Sequence, residues 1–574
     1  MKEEALTGPA AGIGPAEAEV DVLIVGGGPC GLMLANELGR RGVSALLVDD
    51  KPSTAFNPQA NATQARTMEH FRRLGFADEV RALGLPADFP TDIAYFTRFA
   101  AHELARFRLP SAREAKAAVT TLAGSWSAAE LPHRVSQKFV EQVLRRHAEA
   151  LPGIAIRYGW RLERFRDDGH AVAATVERVA DGRRREVRGR FLVGADGPRS
   201  SVRQQLGWRY GGETGVQRDF MGGRMLAVYL RSPEFYAAVP HPPAWMNVSF
   251  NRERRAFMAA IDGRGEFAFH TQLRHGEREE DLTEADALAM FRSAAGAALP
   301  AEILSRRAWT AGHCLVAERF QQGRVFIGGD AAHLFTPTGG LGYNTAVEDA
   351  VNLGWKLAAV IRGQASAALL DTYEQERRPV ALRNTAYARR FADSLGLFEP
   401  DPDIESDSAS GAAARARAGA YLEAHGRLEF DIPGVTFGAR YDDSDAIVPD
   451  GSDPPPDSPN VYTPSACPGG RAPHRWLGEA ESLYDRFGFE WTLLRLGGAP
   501  DAARPLVEAA ARLGVPLRLV PIADAGLREL YGADLALIRP DQVVAWRGNA
   551  PAQPSAILGR LLGRLQDGPR KLRN

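Results

Sequence analysis

Hydrophobic spacing changes several times along this chain, and each change marks an element. Val20 to Val25 is a short apolar run ending in glycines, the pattern of a parallel strand buried on both faces. Leu32, Leu34, Ala35 and Leu38 then share one face of a helix predicted over residues 31–41, and Ser44 to Val48 is a second apolar strand. Together they predict a β-α-β unit of about thirty residues. Further helical stripes fall at 67–74 and at 135–150, the latter carrying Val135, Phe139, Val143 and Leu144. Beyond Pro152 the period shortens to two, at 154–157, 171–176 and 186–190, and again from Met225 to Leu273. This alternation predicts an antiparallel sheet forming a second layer. Val325 to Ile327 is a buried-type strand before a long helix over 344–361. After Asp453-Pro454-Pro455-Pro456-Asp457, too proline-rich for regular structure, an α/β pattern resumes with strands at 491–496, 517–521, 535–538 and 543–546 and a helix at 502–513.

At 574 residues the chain exceeds one core and predicts about three units. Residues 1–18 read as a disordered tail. Residues 19–205 and 310–400 form one α/β module, with a small sheet inserted near 90–130. Residues 206–309 form a sheet module, 401–460 a linker and crossover, and 461–574 a C-terminal α/β module. Lys and Arg number 70 against 71 Asp and Glu, so no basic field draws nucleic acid or an anionic membrane. The three cysteines, Cys30, Cys314 and Cys467, form no CxxC and have no ligand-spaced histidines, so neither a disulfide scaffold nor a metal site is expected. The start lacks the basic and apolar regions of a signal peptide, no run is long enough to span a membrane, and the expected compartment is the cytoplasm.

Three glycine-rich motifs carry the chemistry. Gly26-Gly27-Gly28-Pro29-Cys30-Gly31 satisfies G-x-G-x-x-G between a strand and a helix. Gly26 permits a tight turn, Gly28 lets backbone approach a pyrophosphate, Gly31 lets helix and strand close up, and the helix N-terminus faces the negative charge. Asp49, beside Asp50 at the end of the second strand, can accept from a ribose hydroxyl. The second motif, Gly194-Ala195-Asp196-Gly197 running to Arg203, also reads as a plain turn followed by a Ser200/Ser201 helix cap. The third, Gly328-Gly329-Asp330 followed by Pro337 to Asn344, opens the long helix with backbone bare enough to lie against a flat ring. His333 reads as a loop histidine.

In this order and spacing the motifs resemble the class A FAD-dependent aromatic hydroxylases, and Glu374 to Pro379 is similar to that family's closing motif. The Gln64 to Glu69 and Pro337 to Gly342 segments look most like the phenol and chlorophenol hydroxylase branch. The resemblance implies a Rossmann-like α/β FAD-binding domain interleaved with an antiparallel-sheet substrate domain. Pro468 to His474 and Leu483 to Gly488 resemble the branch's thioredoxin-like C-terminal domain, here without a redox pair. It further implies that Gly26, Gly28, Pro29 and Gly31 hold the FAD pyrophosphate, and that Asp49 and Asp50 lie at the adenosine ribose. Gln137 contacts FAD, Asp196 and Gly197 serve FAD and nicotinamide cofactor, and Asp330 holds the ribityl chain. Pro337, Gly340, Gly342, Tyr343 and Asn344 border the flavin ring. Two positions depart from the family: Gln59 replaces an adenosine-side cation, and Asn61 replaces an acid that activates phenols, so no catalytic base is assigned.

The implied reaction is hydroxylation of a phenolic or related aromatic substrate by NADPH or NADH and dioxygen, by way of a flavin hydroperoxide. Met225, Trp245, Asn247 and His270 are the substrate-side candidates, each also readable as an ordinary strand residue. Other flavin reductase or oxidase chemistry, or a non-catalytic flavin-binding protein, remain the alternatives. A homodimer is the candidate assembly, with no metal, nucleic acid or membrane partner.

Overall fold

The computed structural model describes residues 12–214, 222–478 and 480–564. Its largest sheet has eight strands. Glu19–Val25 runs through the middle, parallel to Ala45–Asp49 on one side and Arg184–Gly194 on the other. Ile154–Tyr158 and Val325–Ile327 extend the parallel set outward. Helix Pro29–Gly39 packs between Gln137–Glu149 and Leu341–Ile361, and the residues of the central strand from Val22 to Val25 are buried. Ile154–Tyr158, whose alternation suggested the second layer, therefore belongs to this first sheet. Trp160–Asp167 and Val172–Arg178 form a meander that joins Arg184–Gly194 in antiparallel register.

The second sheet has seven strands, in the order Glu302–Ala311, Gly223–Arg231, Glu266–Gln272, Ala256–Ala260, Met246–Ser249, Ile93–Phe96 and Glu103–Phe107. The last two come from the region expected to hold a separate inserted sheet; instead Ile93–Phe96 docks parallel to Met246–Ser249 and widens the substrate-side sheet. At its other border, Tyr210–Glu213 leaves the expected 206–309 module and pairs with Cys314–Ala317 in a small three-stranded sheet. The register separates two faces. Met225, Tyr229 and His270 share one with Trp309 and Ser305. That face turns toward the first module, because Tyr229 accepts from Lys138 Nζ at 2.6 Å and Ser305 bonds Asn57.

Two expected irregular segments are ordered. Pro15–Glu17 form a turn of 3-10 helix, and Glu17 pairs with Arg157; residues 1–11 of the expected tail lie outside the described residues. The expected linker 401–460 contains the 22-residue helix Ala409–Phe430, which lies on Glu103–Phe107. Its glycines make the contact: a Cβ on Gly419 would meet the Leu104 carbonyl oxygen at 2.2 Å, and one on Gly426 would meet Phe107 Cβ at 2.8 Å.

The C-terminal sheet runs Leu517–Pro521, Trp491–Arg495, Leu535–Ile538, Val544–Gly548, the first pair parallel and the rest antiparallel. Helix Arg504–Arg512 forms the crossover, giving a thioredoxin-like arrangement. Charge fastens it to the first module. Glu376, on helix Thr372–Gly396, accepts from Lys356 Nζ at 2.6 Å and from Arg539 at 2.7 and 2.8 Å, with all three side chains fully enclosed. Burial holds the Lys356 ammonium down at about 8, and the two cations keep the Glu376 carboxyl well below its usual range despite burial.

Removing one partner of such a cluster strands the others in low dielectric. Glu376→Ala is expected to cost about 3–5 kcal/mol, read as a lower denaturant midpoint; a shift under about 1 kcal/mol would contradict the clamp. Buried histidines set an acid limit. Burial pushes His133 and His474 down to about 3 and His270 to about 4. Between pH 6.5 and about 4 the unfolded chain takes up these protons and the folded chain does not. Each histidine thus withdraws about 1.4 kcal/mol per pH unit as pH falls, and none contributes a slope above that window. The melting temperature should drop steeply below pH 6; one unchanged down to pH 4.5 would refute the assignment.

Candidate active site

Three adjacent parallel strands end together, and their turns meet. Ala195 N–H donates to the Val25 carbonyl at 2.7 Å, and Gly328 N–H donates to the Gly194 carbonyl at 3.0 Å. The three glycine motifs therefore stand side by side at one sheet edge, where ligands bind in open α/β sheets. Gly26 has φ +112°, and a Cβ there would lie 2.1 Å from the Ala195 carbonyl oxygen. On Gly31 it would lie 1.9 Å from the Gly26 oxygen, so helix and turn touch through bare backbone. Gly28 differs, since a Cβ there meets nothing within 4 Å. Open space thus lies against Gly28 and the first turn of helix Pro29–Gly39, where free N–H groups favour an anion.

Asp49 stiffens this turn. One carboxylate oxygen accepts from Gly27 N at 2.6 Å and the other from Lys51 N at 2.8 Å, leaving lone pairs for a further donor. Asp50, the next residue, and Gln59 are exposed. Gln137 is held by Glu141, which also accepts from Ala55 N.

In the second motif, both the turn-and-cap reading and a ligand-facing role have support. Asp196 Oδ2 caps the following helix, accepting from Ser201 N and Val202 N at 2.7 and 3.2 Å, while Oδ1 is buried without a partner. Gly197 makes the turn at φ +78°. Arg203 ties this motif to the third: its guanidinium stacks 3.8 Å from the Tyr210 ring and donates to the Pro198 and Ala331 carbonyls. Asp330 is open to solvent although protein surrounds it on most sides, which places it on a crevice floor; this enclosure pushes its carboxyl pKa up.

His333 is not a loop residue. It is fully buried, with Nε2 at 2.6 Å from Asp349 Oδ2. Asp349 also accepts from Gly329 N at 3.0 Å and from Arg377 Nε at 2.7 Å. The closing motif Glu374 to Pro379 thus acts through structure, with Arg377 bracing the turn that presents Asp330.

Gly339 and Gly340, at φ +61° and +65°, open the helix Leu341–Ile361. Pro337 is exposed beside them, and Gly342 and Tyr343 lie in the first turn. Asn344 fastens the loop at residues 62–64, accepting from Gln64 N at 2.9 Å and donating to the Ala62 carbonyl at 3.0 Å. The hydroxyl of Tyr343 and the Asn61 Oδ1 are buried with no bond aligned to them. From the segment read as linker, Glu429 accepts from Gly339 N at 2.9 Å. His425 Nε2 lies 2.9 Å from Glu429, close enough to pair though not aligned as a hydrogen bond. No sequence signal marked these two residues.

Of the substrate-side candidates, Met225 and His270 are on the sheet face turned to this crevice, His270 stacked on Phe257 at 4.5 Å. Trp245, just before the strand Met246–Ser249, lies beneath the guanidinium of Arg134. Asn247 does not belong with Met225 and His270. It registers with Met258 and Phe269 on the opposite face, and Phe269 packs on Phe291 of helix Glu284–Ala295. No group of three or more metal-ligating side chains exists among the described residues, nor any helix long and apolar enough to cross a membrane.

Comparison with known proteins agrees with the fold. Residues 19–388 match the model of the FAD binding domain, and residues 465–569 that of the aromatic-ring hydroxylase C-terminal domain. Aklavinone 12-hydroxylase RdmE of Streptomyces purpurascens is 34% identical, over 95% of this chain and 99% of its own. 2,4-Dichlorophenol 6-monooxygenase of Delftia acidovorans is 31% identical, over 92% and 95% respectively. The structure of the flavin-dependent monooxygenase PieE in complex with FAD and substrate superposes with TM-score 0.83 at 30% identity, covering 95% of this chain and 99% of that one. This chain belongs to the FAD-dependent aromatic-ring hydroxylases and carries their thioredoxin-like C-terminal domain.

Proposed function

We propose that the chain hydroxylates a phenolic, fused-ring aromatic compound, using FAD, dioxygen and NADPH or NADH. One observation carries the reading: three glycine-punctuated strand ends converge on a crevice with open space at Gly28, an unpartnered oxygen on Asp196 and a solvent-facing Asp330. The fused-ring preference draws on relatives named for aklavinone and tetracenomycin.

In this reading Gly26, Gly28, Pro29 and Gly31 hold the pyrophosphate, Asp49 and Gln137 the adenosine side, and Asp196, Gly197 and Asp330 the ribityl side. Pro337, Gly340, Gly342, Tyr343 and Asn344 border the ring. Bound flavin supplies the activation of dioxygen that no side chain can provide. The protein's own contribution is to hold the flat backbone at Gly339 and Gly340, to present the substrate from the Met225 and His270 face, and to exclude water. The nicotinamide reductant visits transiently. The compartment is the cytoplasm, which suits three unpaired thiols, and the assembly is a homodimer.

Two glycine substitutions separate the cofactor role from folding. Gly28→Ala finds open space, so melting of the cofactor-free protein should change little while FAD affinity falls at least tenfold. Gly31→Ala should lower both. Equal FAD affinity in Gly28→Ala and the parent, by fluorescence titration, would refute the pyrophosphate assignment. For the reaction, a panel of naphthols and hydroxyanthraquinones should stimulate NADPH oxidation and yield a product heavier by one oxygen atom. Purified protein that is colourless and takes up no FAD would end the reading.

A further inference from the structure

Several buried arginines in this protein sit against carboxylates: Arg41 and Arg73 against Glu37, Arg377 against Asp349, Arg471 against Glu69, Arg539 against Glu376. Arg203 instead donates to backbone carbonyls. Arg134 has neither kind of partner. Its guanidinium carbon lies 4.0 Å from the Trp245 ring centroid, and among the described residues no carboxylate or carbonyl is bonded to it. Burial alone pulls it down to about 10, with no acid acting in the other direction. The residue is half-buried, so part of it stays open to an incoming group.

A second observation at the same place is independent of the first. Trp245 is only 2% exposed, and its indole N–H is buried without a partner. An unsatisfied buried donor is costly, and this one, lying under a guanidinium with no acceptor among the described residues, calls for an acceptor from outside the chain. The position is defined by backbone. His133 bridges Thr63, its ring turns to the Arg81 carbonyl, and Arg134 as the next residue points the other way. The segment 60–63 thus lies between Arg134 on one side and Gly340 with Asn344 on the other. Arg134 and Trp245 therefore stand across that segment from the proposed ring-binding loop, at the edge of the strand Met246–Ser249.

The geometry points to Arg134 and Trp245 as a specificity site that binds a carboxylate carried by the aromatic substrate. The stack on indole leaves the edge of the guanidinium free, and its paired N–H groups match the two oxygens of a carboxylate. The indole N–H adds a third donor, and all available groups are donors, which selects an anion over a neutral ring. This inference rests on the aromatic-hydroxylase reading and narrows its substrate class to aromatic acids.

The test uses the FAD-loaded full chain and two probes, 3-hydroxy-2-naphthoate and its carboxamide, titrated by their perturbation of the flavin visible spectrum. The acid is expected to bind at least tenfold more tightly than the amide. Arg134→Met should erase that ratio while moving the amide less than twofold, Arg134→Lys should keep part of it, and Trp245→Phe should weaken the acid about threefold or more. Unchanged melting temperature and FAD content would verify that the variants fold. An acid-to-amide ratio near one in the parent, a ratio that survives Arg134→Met, or equal loss of both probes would overturn the inference while leaving the flavin reading intact. Failure of the parent to bind FAD or to oxidise NADPH with any phenol would instead overturn that reading, and this inference with it.

Discussion

One buried carboxylate, Asp349, fixes the turn on which the crevice floor stands. It lies on the helix Leu341–Ile361 and receives the Gly329 N–H, the His333 ring and the Arg377 guanidinium. An isolated carboxylate could not remain charged there, because desolvation opposes ionisation; its two neighbours nevertheless hold it below the usual range. Because Gly329 precedes Asp330 and Gly339 and Gly340 begin the same helix, this group sets the distance between the two parts of the proposed cofactor site. Arg377 comes from helix Thr372–Gly396, so a motif that never reaches the crevice governs its shape.

The adjoining Glu376 extends the same logic to the third module. It joins Lys356 beneath the crevice to Arg539 at the end of strand Leu535–Ile538. Arg66 contributes a parallel tie, donating to the Asp541 carbonyl and Gln542, and Arg471 reaches back to Glu69. The C-terminal module has no CxxC, and its ties are to the helices of the first module. It immobilises helices Ala65–Leu74 and Leu341–Ile361 from outside, where a site that must keep water from a reactive cofactor needs rigid walls.

The parallel core and all three glycine turns were legible because their signals are local: an apolar run, then glycines, then an acid. What escaped depends on partners distant in sequence. Alternation put Met225, Asn247 and His270 in strands but could not give the register, and the register sends Asn247 to the far face. Ile93–Phe96 is too short to reveal that its neighbour would be Met246–Ser249. Helix Ala409–Phe430 has no apolar stripe, because its glycines carry the contact, Gly419 against the Leu104 carbonyl and Gly426 against Phe107. Glu429 and His425, on that helix, were therefore invisible with it. Arg134 could be seen as a residue but not as an arginine without an acid, since pairing exists only in three dimensions.

Residues 389–464 fall between the two segments that similarity to relatives delimits. Yet Glu429 and Thr436 from this stretch bond Gly339 and Gln64. A chimera assembled from two family members at those similarity borders would bring its glycine loop from one parent and that loop's brace from whichever parent donated the connector. Inheritance of the pocket therefore follows the connector as much as the modules, and recombination intended to exchange substrate preference should carry residues 389–464 along with the sequence that precedes them.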